Sequence, residues 1–353
     1  MRRLLSIFLA GSFALVFAGE VAAQNTISSR AASIRFGGRL HTQYATSSVD
    51  SYQDHFFFRR ARLIADITVN DFFDARVQPE FAGGSAELKD AYVRFKFSPG
   101  FQVTMGQFKR PFDLFELDSS TDLSLIERDG RVGGVSSCAG VGGICSYSRF
   151  TEKLNYSDRD TGIRVGGENG KVSYEVSLTN GTGANVADEN DAKSLSGRLS
   201  FELSDKITVS GQFARHDYLD DADETAYANA WGADVQYGDW RDGLLFQAAV
   251  VSGDNWKKTL ATTGEPSSFM AFQAVASYYH PMEGARFQGV EPLVRVSFGD
   301  PDTDLASDGG VVFTPGLMFY VLGKNKIGFN VDVWSPQTGD TEYSFKVQSF
   351  LYF

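Results

Sequence analysis

Glu342-Tyr343-Ser344-Phe345-Lys346-Val347-Gln348-Ser349-Phe350-Leu351-Tyr352-Phe353 ends the chain, and its reading decides the fold. Every second residue back from the end, Phe353, Leu351, Ser349, Val347, Phe345 and Tyr343, shares one side, while Lys346, Gln348 and Glu342 share the other. A period of two marks a strand rather than a helix. An apolar, aromatic face opposite a charged and amide face suits a closing strand with lipid outside and water inside. A half-buried strand of a soluble sandwich has the same period, so the rest of the chain has to separate the two readings.

With 353 residues the chain has length for two soluble domains or for one large barrel whose polar lumen keeps average hydropathy low. Mean hydropathy is -0.20. Beyond the first twenty residues no stretch is apolar enough to cross a bilayer as a helix, which a strand-built barrel does not need. The formal charge of -11 argues against nucleic acid as a partner, because that interaction relies on a basic surface. No cofactor motif is present, and only Cys138 and Cys145 are available for thiolate chemistry.

The N-terminus carries an address. Met1-Arg2-Arg3 is basic, Leu4 to Ala18 is apolar, and Val21-Ala22-Ala23 places small residues ahead of Gln24. This is the pattern of a cleaved signal peptide over residues 1–23, which leaves 24–353 as the exported chain. A retained anchor would need about 20 apolar residues, and Gly11, Gly19 and Glu20 interrupt this one.

Alternation predicts strands along the rest of the chain. The first, Ser33 to Ser47, sets Ile34, Phe36, Leu40 and Tyr44 against Arg35, Arg39, His41 and Gln43. Phe56 to Val69, Phe73 to Phe81, Glu87 to Phe97 and Phe101 to Lys109 follow. After a long irregular stretch come Arg159 to Gly167, Lys171 to Asn180, Ser194 to Leu203, Lys206 to His216, Tyr227 to Tyr237 and Gly243 to Val251. Phe269 to Tyr279, Gly289 to Phe298, Val311 to Val321, Lys326 to Trp334 and the last stretch complete sixteen. An even count is what single-chain bacterial outer-membrane barrels require.

Connection lengths test this independently. Those after even strands are mostly short, as at Asn70-Asp71, Ser98-Pro99-Gly100, Ser204-Asp205 and Leu322-Gly323-Lys324-Asn325. Those after odd strands are generally longer and polar, as at Thr182 to Lys193, Asp217 to Thr225, Ser252 to Ser267 and Gly299 to Asp308. Short turns on one rim and long loops on the other match the outer-membrane topology, and a soluble sheet has no reason to show it. The expected fold is therefore all-β, a 16-stranded antiparallel transmembrane β-barrel in the bacterial cell outer membrane.

The longest connection, residues 110–158, is the third loop on the outer side. Loops beyond about 12 to 15 residues are uncommon unless functional or disordered. This one carries Phe112, Leu114, Phe115, Leu117, Leu123, Leu125 and Ile126, which could pack. Cys138 and Cys145 flank a glycine-rich segment and, in an exported protein, are expected to form a disulfide. A metal site would need further ligands, and His41, His55, His216 and His280 all lie elsewhere.

Several stretches, taken as a set and in this order, resemble the phosphate-selective porins O and P. They are Phe58-Arg59-Arg60-Ala61-Arg62-Leu63, Leu88-Lys89-Asp90-Ala91-Tyr92-Val93, Gly106-Gln107-Phe108-Lys109-Arg110-Pro111-Phe112 and Ile126-Glu127-Arg128, then Arg159-Asp160-Thr161-Gly162 and Asn180-Gly181-Thr182-Gly183. The resemblance implies a homotrimer of sixteen-stranded barrels, a third loop folded inward to narrow the pore, and basic residues that guide anions. It also implies that the barrel-insertion machinery reads the C-terminal strand. Outer-membrane lipid and lipopolysaccharide are then the expected surroundings, and small anionic solutes the expected cargo.

Fixed Arg or Lys groups can replace the water that an anion sheds in a narrow pore. Arginine suits phosphate because its planar fork donates two parallel hydrogen bonds and stays charged. Alternation points Arg35, Arg39, Arg60, Arg62, Arg76, Arg94 and Lys96 at the lumen, against Asp66, Asp74, Glu80 and Asp90. Lys109 and Arg110 stand where the long loop departs. The later strands add Arg164, Arg198, Arg295 and Lys346 but also Glu175, Glu202, Asp234, Glu291, Asp332 and Glu342, so that wall leans acidic. A phosphate or polyphosphate pathway and the transverse field of a general diffusion porin both fit this distribution. A hydrolase does not: Ser210 and His216 share a strand face too far apart for contact, and no Gly-x-Ser-x-Gly occurs.

Overall fold

A strand in lipid must find every backbone partner in another strand, so the sheet has to close on itself. In the computed structural model, which describes residues 26–28, 33–260, 264–284 and 286–353, it does so. The expected signal segment lies outside the described residues. The sixteen strands begin with β1 Ser33–Ser47, β2 His55–Thr68, β3 Phe73–Glu80, β4 Glu87–Ser98 and β5 Phe101–Lys109. They continue with β6 Arg159–Asn169, β7 Val172–Thr179, β8 Ser194–Ser204, β9 Ile207–Leu219, β10 Thr225–Tyr237, β11 Leu244–Thr259 and β12 Pro266–Tyr278. The last four are β13 Gly289–Asp300, β14 Gly310–Leu322, β15 Asn325–Pro336 and β16 Glu342–Tyr352. Two short pieces extend the sheet, Thr26–Ser28 against the start of β1 and His280–Pro281 against that of β13.

Each strand pairs antiparallel with its sequence neighbour, and β16 pairs with β1 from Ser344↔Ser47 to Tyr352↔Arg39. The alternation sorts side chains as the composition requires. On β16, Ser344, Lys346, Gln348 and Phe350 are buried inside, whereas Tyr343, Phe345 and Leu351 are exposed outside. The outer surface also displays Phe36, Leu63, Leu199, Phe246, Phe272 and Phe313, an apolar skin that would be untenable in water.

Several strand boundaries differ from those the sequence suggested. Ser252 through Thr259, expected in a loop, stay in β11, because Ser252, Asp254 and Asn255 still pair with Met270, Ser268 and Ser267. The hairpin thus continues past the apolar band, where an apolar outward face is no longer needed and alternation gives no signal. β9 likewise runs on to Leu219, paired with Thr225. On β2, His41 pairs with Arg60 and Thr42 with Phe58, which leaves Arg59 as the extra residue of a bulge. A bulge re-aims a side chain, and here it adds Arg59 to the inward set.

The seam between β1 and β16 ends in a reciprocal pair, Gly38 N–H to the Phe353 carbonyl at 2.8 Å and Phe353 N–H to the Gly38 carbonyl at 3.3 Å. The Phe353 ring lies over Gly38, and a Cβ there would sit 2.7 Å from the Arg62 carbonyl oxygen. The ring could swing aside, but that backbone atom cannot. Gly38→Val is therefore expected to cost on the order of 1–3 kcal/mol of overpacking at the closing seam. The check is the fraction of protein whose gel mobility changes on boiling, which should fall well below that of the parent. Gly211→Ala, whose added methyl meets nothing within 4 Å, should leave it unchanged.

Candidate functional site

Strand β5 ends at Lys109 and β6 begins at Arg159, so residues 110–158 form the third outer loop. Its side chains and backbone bond to inward-facing groups of the wall from β9 to β16. Asp113 N–H donates to Gln212 (2.9 Å), Tyr147 N–H to Ser297 (3.0 Å), Ile126 N–H to Asn330 (2.8 Å) and Arg131 N–H to Asp332 (3.0 Å). Arg295 donates to the carbonyls of Glu127 (2.8 Å) and Arg128 (2.9 Å), and Lys346 to that of Arg131. The loop is thus folded inside the barrel.

Packing explains which wall it chose. Loop residues Phe112, Phe115, Ile126, Ile144, Tyr147, Phe150, Leu154 and Tyr156 are buried in one cluster with Ala214, Ala228, Ala230, Ala249, Val251, Phe269 and Ala271 of β9 to β12. The alanines point inward where a lumen would carry polar groups, and they leave room for loop rings, of which Phe150 stacks on Phe269 at 5.0 Å. Two short helices, α1 Leu114–Leu117 and α2 Tyr147–Lys153, shape the loop. Between them Cys138 and Cys145 are disulfide-bonded, and Gly140, Gly142 and Gly143 take positive φ to close the small ring.

With the loop against that wall, three of the acids expected to face water there, Asp234, Glu291 and Asp332, are covered. Asp332 is buried between Arg295 (2.7 Å) and Lys346, Glu291 accepts from Ser124 (2.6 Å) and Tyr320, and Asp234 is paired twice with Arg198 (both 2.7 Å). The open space lies on the other side. A cavity of about 220 Å³ is lined by Arg39, Arg62, Arg76 and Lys109 of the predicted set, joined by Arg128, Arg159 and Arg164. Asp90 is the one carboxylate among its lining residues, which also include the hydroxyls of Ser119 and Ser120. Beyond it a cavity of about 540 Å³ is lined by Arg94, Arg164 and Arg198 together with the carboxylates of Glu168 and Glu175.

The remaining predicted residues sit elsewhere. Arg35 is exposed at the start of β1, and Lys96 lies 3.2 Å from Asp74, which also holds Arg94 through two bonds. Arg60 is buried, makes no ion pair among the described residues, and lines neither cavity. Arg110 turns away to Asp160 at 3.9 Å and is almost wholly buried. Arg62 pairs with Glu80 (2.5 Å) rather than Asp66, which takes Arg76 (2.7 Å). Arg39 donates to Ser120 and has no carboxylate partner among the described residues, while Lys109 and Arg128 share Glu116, at 3.3 and 3.5 Å.

Arg59, Arg128 and Arg159 are not among the cations that alternation points at the lumen, whereas Arg164 is. Arg59 escaped because the bulge that turns it inward leaves no trace in the alternation. Its guanidinium grips Glu127 of the loop through two bonds, 2.7 and 2.8 Å. Burial alone would raise the Glu127 pKa, but the Arg59 charge holds it well below the usual carboxylate range.

The fold and this basic passage define a water-filled channel through a membrane. A family model for phosphate-selective porin O and P matches residues 34–271, and the chain belongs to that family. It is an outer-membrane diffusion channel. Solved structures of similar fold include Salmonella typhi OmpF in complex with daunomycin, at 12% identity and TM-score 0.63, covering 93% of this chain and 100% of that one. A Vibrio cholerae OmpT with loop L8 deleted is similar at 10% identity and TM-score 0.64, covering 92% and 100%. The trimer form of in-vitro folded OmpT gives 11% and 0.61, covering 92% and 100%. No curated protein matches the chain.

One loop carboxylate is poised to titrate. Asp113 is fully buried at positive φ (71°) and bonded to Thr151 (2.5 Å) and Phe115 N–H (2.9 Å). Burial, with the Glu116 charge nearby, pushes its pKa up to about 7. A carboxyl whose folded pKa is raised contributes stability that is complete below its unfolded value near 3.9 and is lost as pH rises through the folded one. The loop anchor should loosen as pH climbs from about 4 through 7. Single-channel current noise is expected to grow over that interval, and Asp113→Asn should flatten the dependence.

Proposed function

We propose that the channel is anion-leaning and passes phosphate or polyphosphate, and that the protein works as a homotrimer with its apolar skin in outer-membrane lipid and lipopolysaccharide. The observation that carries this is the lining of the 220 Å³ cavity, seven cations against one carboxylate. Charges facing a confined aqueous space act on an ion with less screening than in bulk water. The forked donors of Arg39, Arg128 and Arg159 suit a tetrahedral oxyanion, and Ser119 and Ser120 add hydroxyls. The family description points the same way. For the trimer, the support is the trimer form of the similarly folded OmpT. For recognition by the insertion machinery, it is the half-exposed Phe353 at the end of the seam.

A general diffusion porin without phosphate selectivity is the second reading, favoured by the pairing of Arg62, Arg76, Arg94 and Arg159 with carboxylates. No chemistry on a solute enters either reading. Bilayer conductance separates them. In a salt gradient, Arg39→Gln, Lys109→Gln and Arg128→Gln together are expected to move the reversal potential toward cations. They should also raise the phosphate concentration needed to block half the chloride current by about tenfold, the effect of losing roughly 1.4 kcal/mol of attraction. Unchanged block and selectivity in a correctly assembled triple variant would leave the general porin as the answer.

A further inference from the structure

A separate cavity, of about 200 Å³, opens between the third loop, the outer loop following β7 and the outer ends of β9 and β11. It shares no lining residue with the arginine passage. One side is aromatic: Tyr218 stacks on Trp256 at 4.9 Å, and His216 leans on Trp256 at 5.0 Å. The other side is polar, with Asn155, Thr182, Glu189 and Asn190. Its wall is held in place, since Gly181 N–H donates to Asp160 at 2.7 Å and a Cβ on Gly181 would run into the Asp217 carboxylate.

His216 is 2% exposed, lines this cavity, and its Nε2 has no hydrogen-bond partner among the described residues. The network assigns its tautomer. The Ser194 hydroxyl gives its one proton to Asp217 Oδ1 (2.6 Å), so toward His216 Nδ1 (3.2 Å) it presents a lone pair. Nδ1 therefore carries the ring hydrogen and Nε2 is a bare acceptor. Thr182 Oγ1 is buried and unpartnered as well. A buried acceptor without a donor is costly and asks for a ligand that donates.

We infer that this cavity binds one neutral sugar ring, a ligand class unrelated to the anions of the main passage. A sugar hydroxyl both donates and accepts, which matches a lining that mixes the acceptors His216 Nε2 and Glu189 with the amide groups of Asn155 and Asn190. The apolar face of the ring fits the Tyr218–Trp256 surface. An organic cation fits less well: Lys257 already lies over the Trp256 ring at 4.8 Å and repels a second positive charge. A cation would also leave the amide donors unmatched.

The test is saturation-transfer NMR on the full chain in detergent, with methyl glucoside and maltotriose as sugar probes and choline as the cationic comparison. Transfer to the ring protons of at least one sugar is expected. It should weaken about tenfold or more in apparent affinity in Tyr218→Ala and in Glu189→Gln, while chloride conductance per channel stays at the parent value in both. Tighter binding of maltotriose than of methyl glucoside identifies a polysaccharide end as the source, and equal binding a free sugar. The inference is overturned by transfer to choline instead, by no transfer to either sugar at about 20 mM, or by sugar binding that survives both substitutions in channels of normal conductance.

Discussion

Asp332, buried between Arg295 and Lys346, is the contact on which the interior depends. All three face inward from β13, β15 and β16, and each also bonds backbone of the third loop, through Arg131 N–H and the carbonyls of Glu127, Arg128 and Arg131. A buried ionic group is tolerable only when every charge is matched, and removing one member strands the others at a cost of about 3–5 kcal/mol. The triad therefore does more than hold three strands together. It ties the loop to one side of the barrel and decides which wall remains in contact with water.

That choice sets which charged groups line the open cavities. The whole chain carries a formal charge of -11, and its later strands contribute acids to the lumen. The loop covers Glu291 and Asp332, which spend their charge on buried partners rather than on passing solute, whereas Glu175 still lines an open cavity. The wall left open, β1 to β6, is the basic one. Net charge and local field differ in sign here because the fold buries one set of charges and exposes the other.

The barrel itself could be read from the sequence because lipid outside and polar groups inside enforce a period of two along every strand, and strand count and loop asymmetry followed from it. Three features could not be read that way. The hairpin of β11 and β12 runs past Gly253 into water, where nothing enforces alternation. The bulge at Arg59 shifts the phase by one residue for a single position. The docking wall of the loop is visible only as a break in the rule, where Ala228, Ala230, Ala249, Val251 and Ala271 occupy inward positions that should be polar. That break was present in the sequence, and an apolar patch facing both ways on adjacent strands is the signal that a segment packs inside. Ion pairing was the least legible level. Arg62 could have reached Asp66 or Glu80, and only the stagger of β2 against β3, with Arg62 opposite Glu80, decides.

Pairing also decides which basic residues a solute can feel. Arg62 with Glu80 and Arg76 with Asp66 are near-neutral pairs when viewed from several ångströms, because opposite charges at hydrogen-bond distance largely cancel. Lys109 and Arg128 share the single carboxylate of Glu116, and Arg39 is held by a serine hydroxyl, so these three cations carry more charge than that one carboxylate offsets. Both groups that hold these three cations, Glu116 and Ser120, belong to the third loop. The loop thus supplies too few carboxylates for the cations it meets, and it leaves the excess positive charge at the place where it narrows the path.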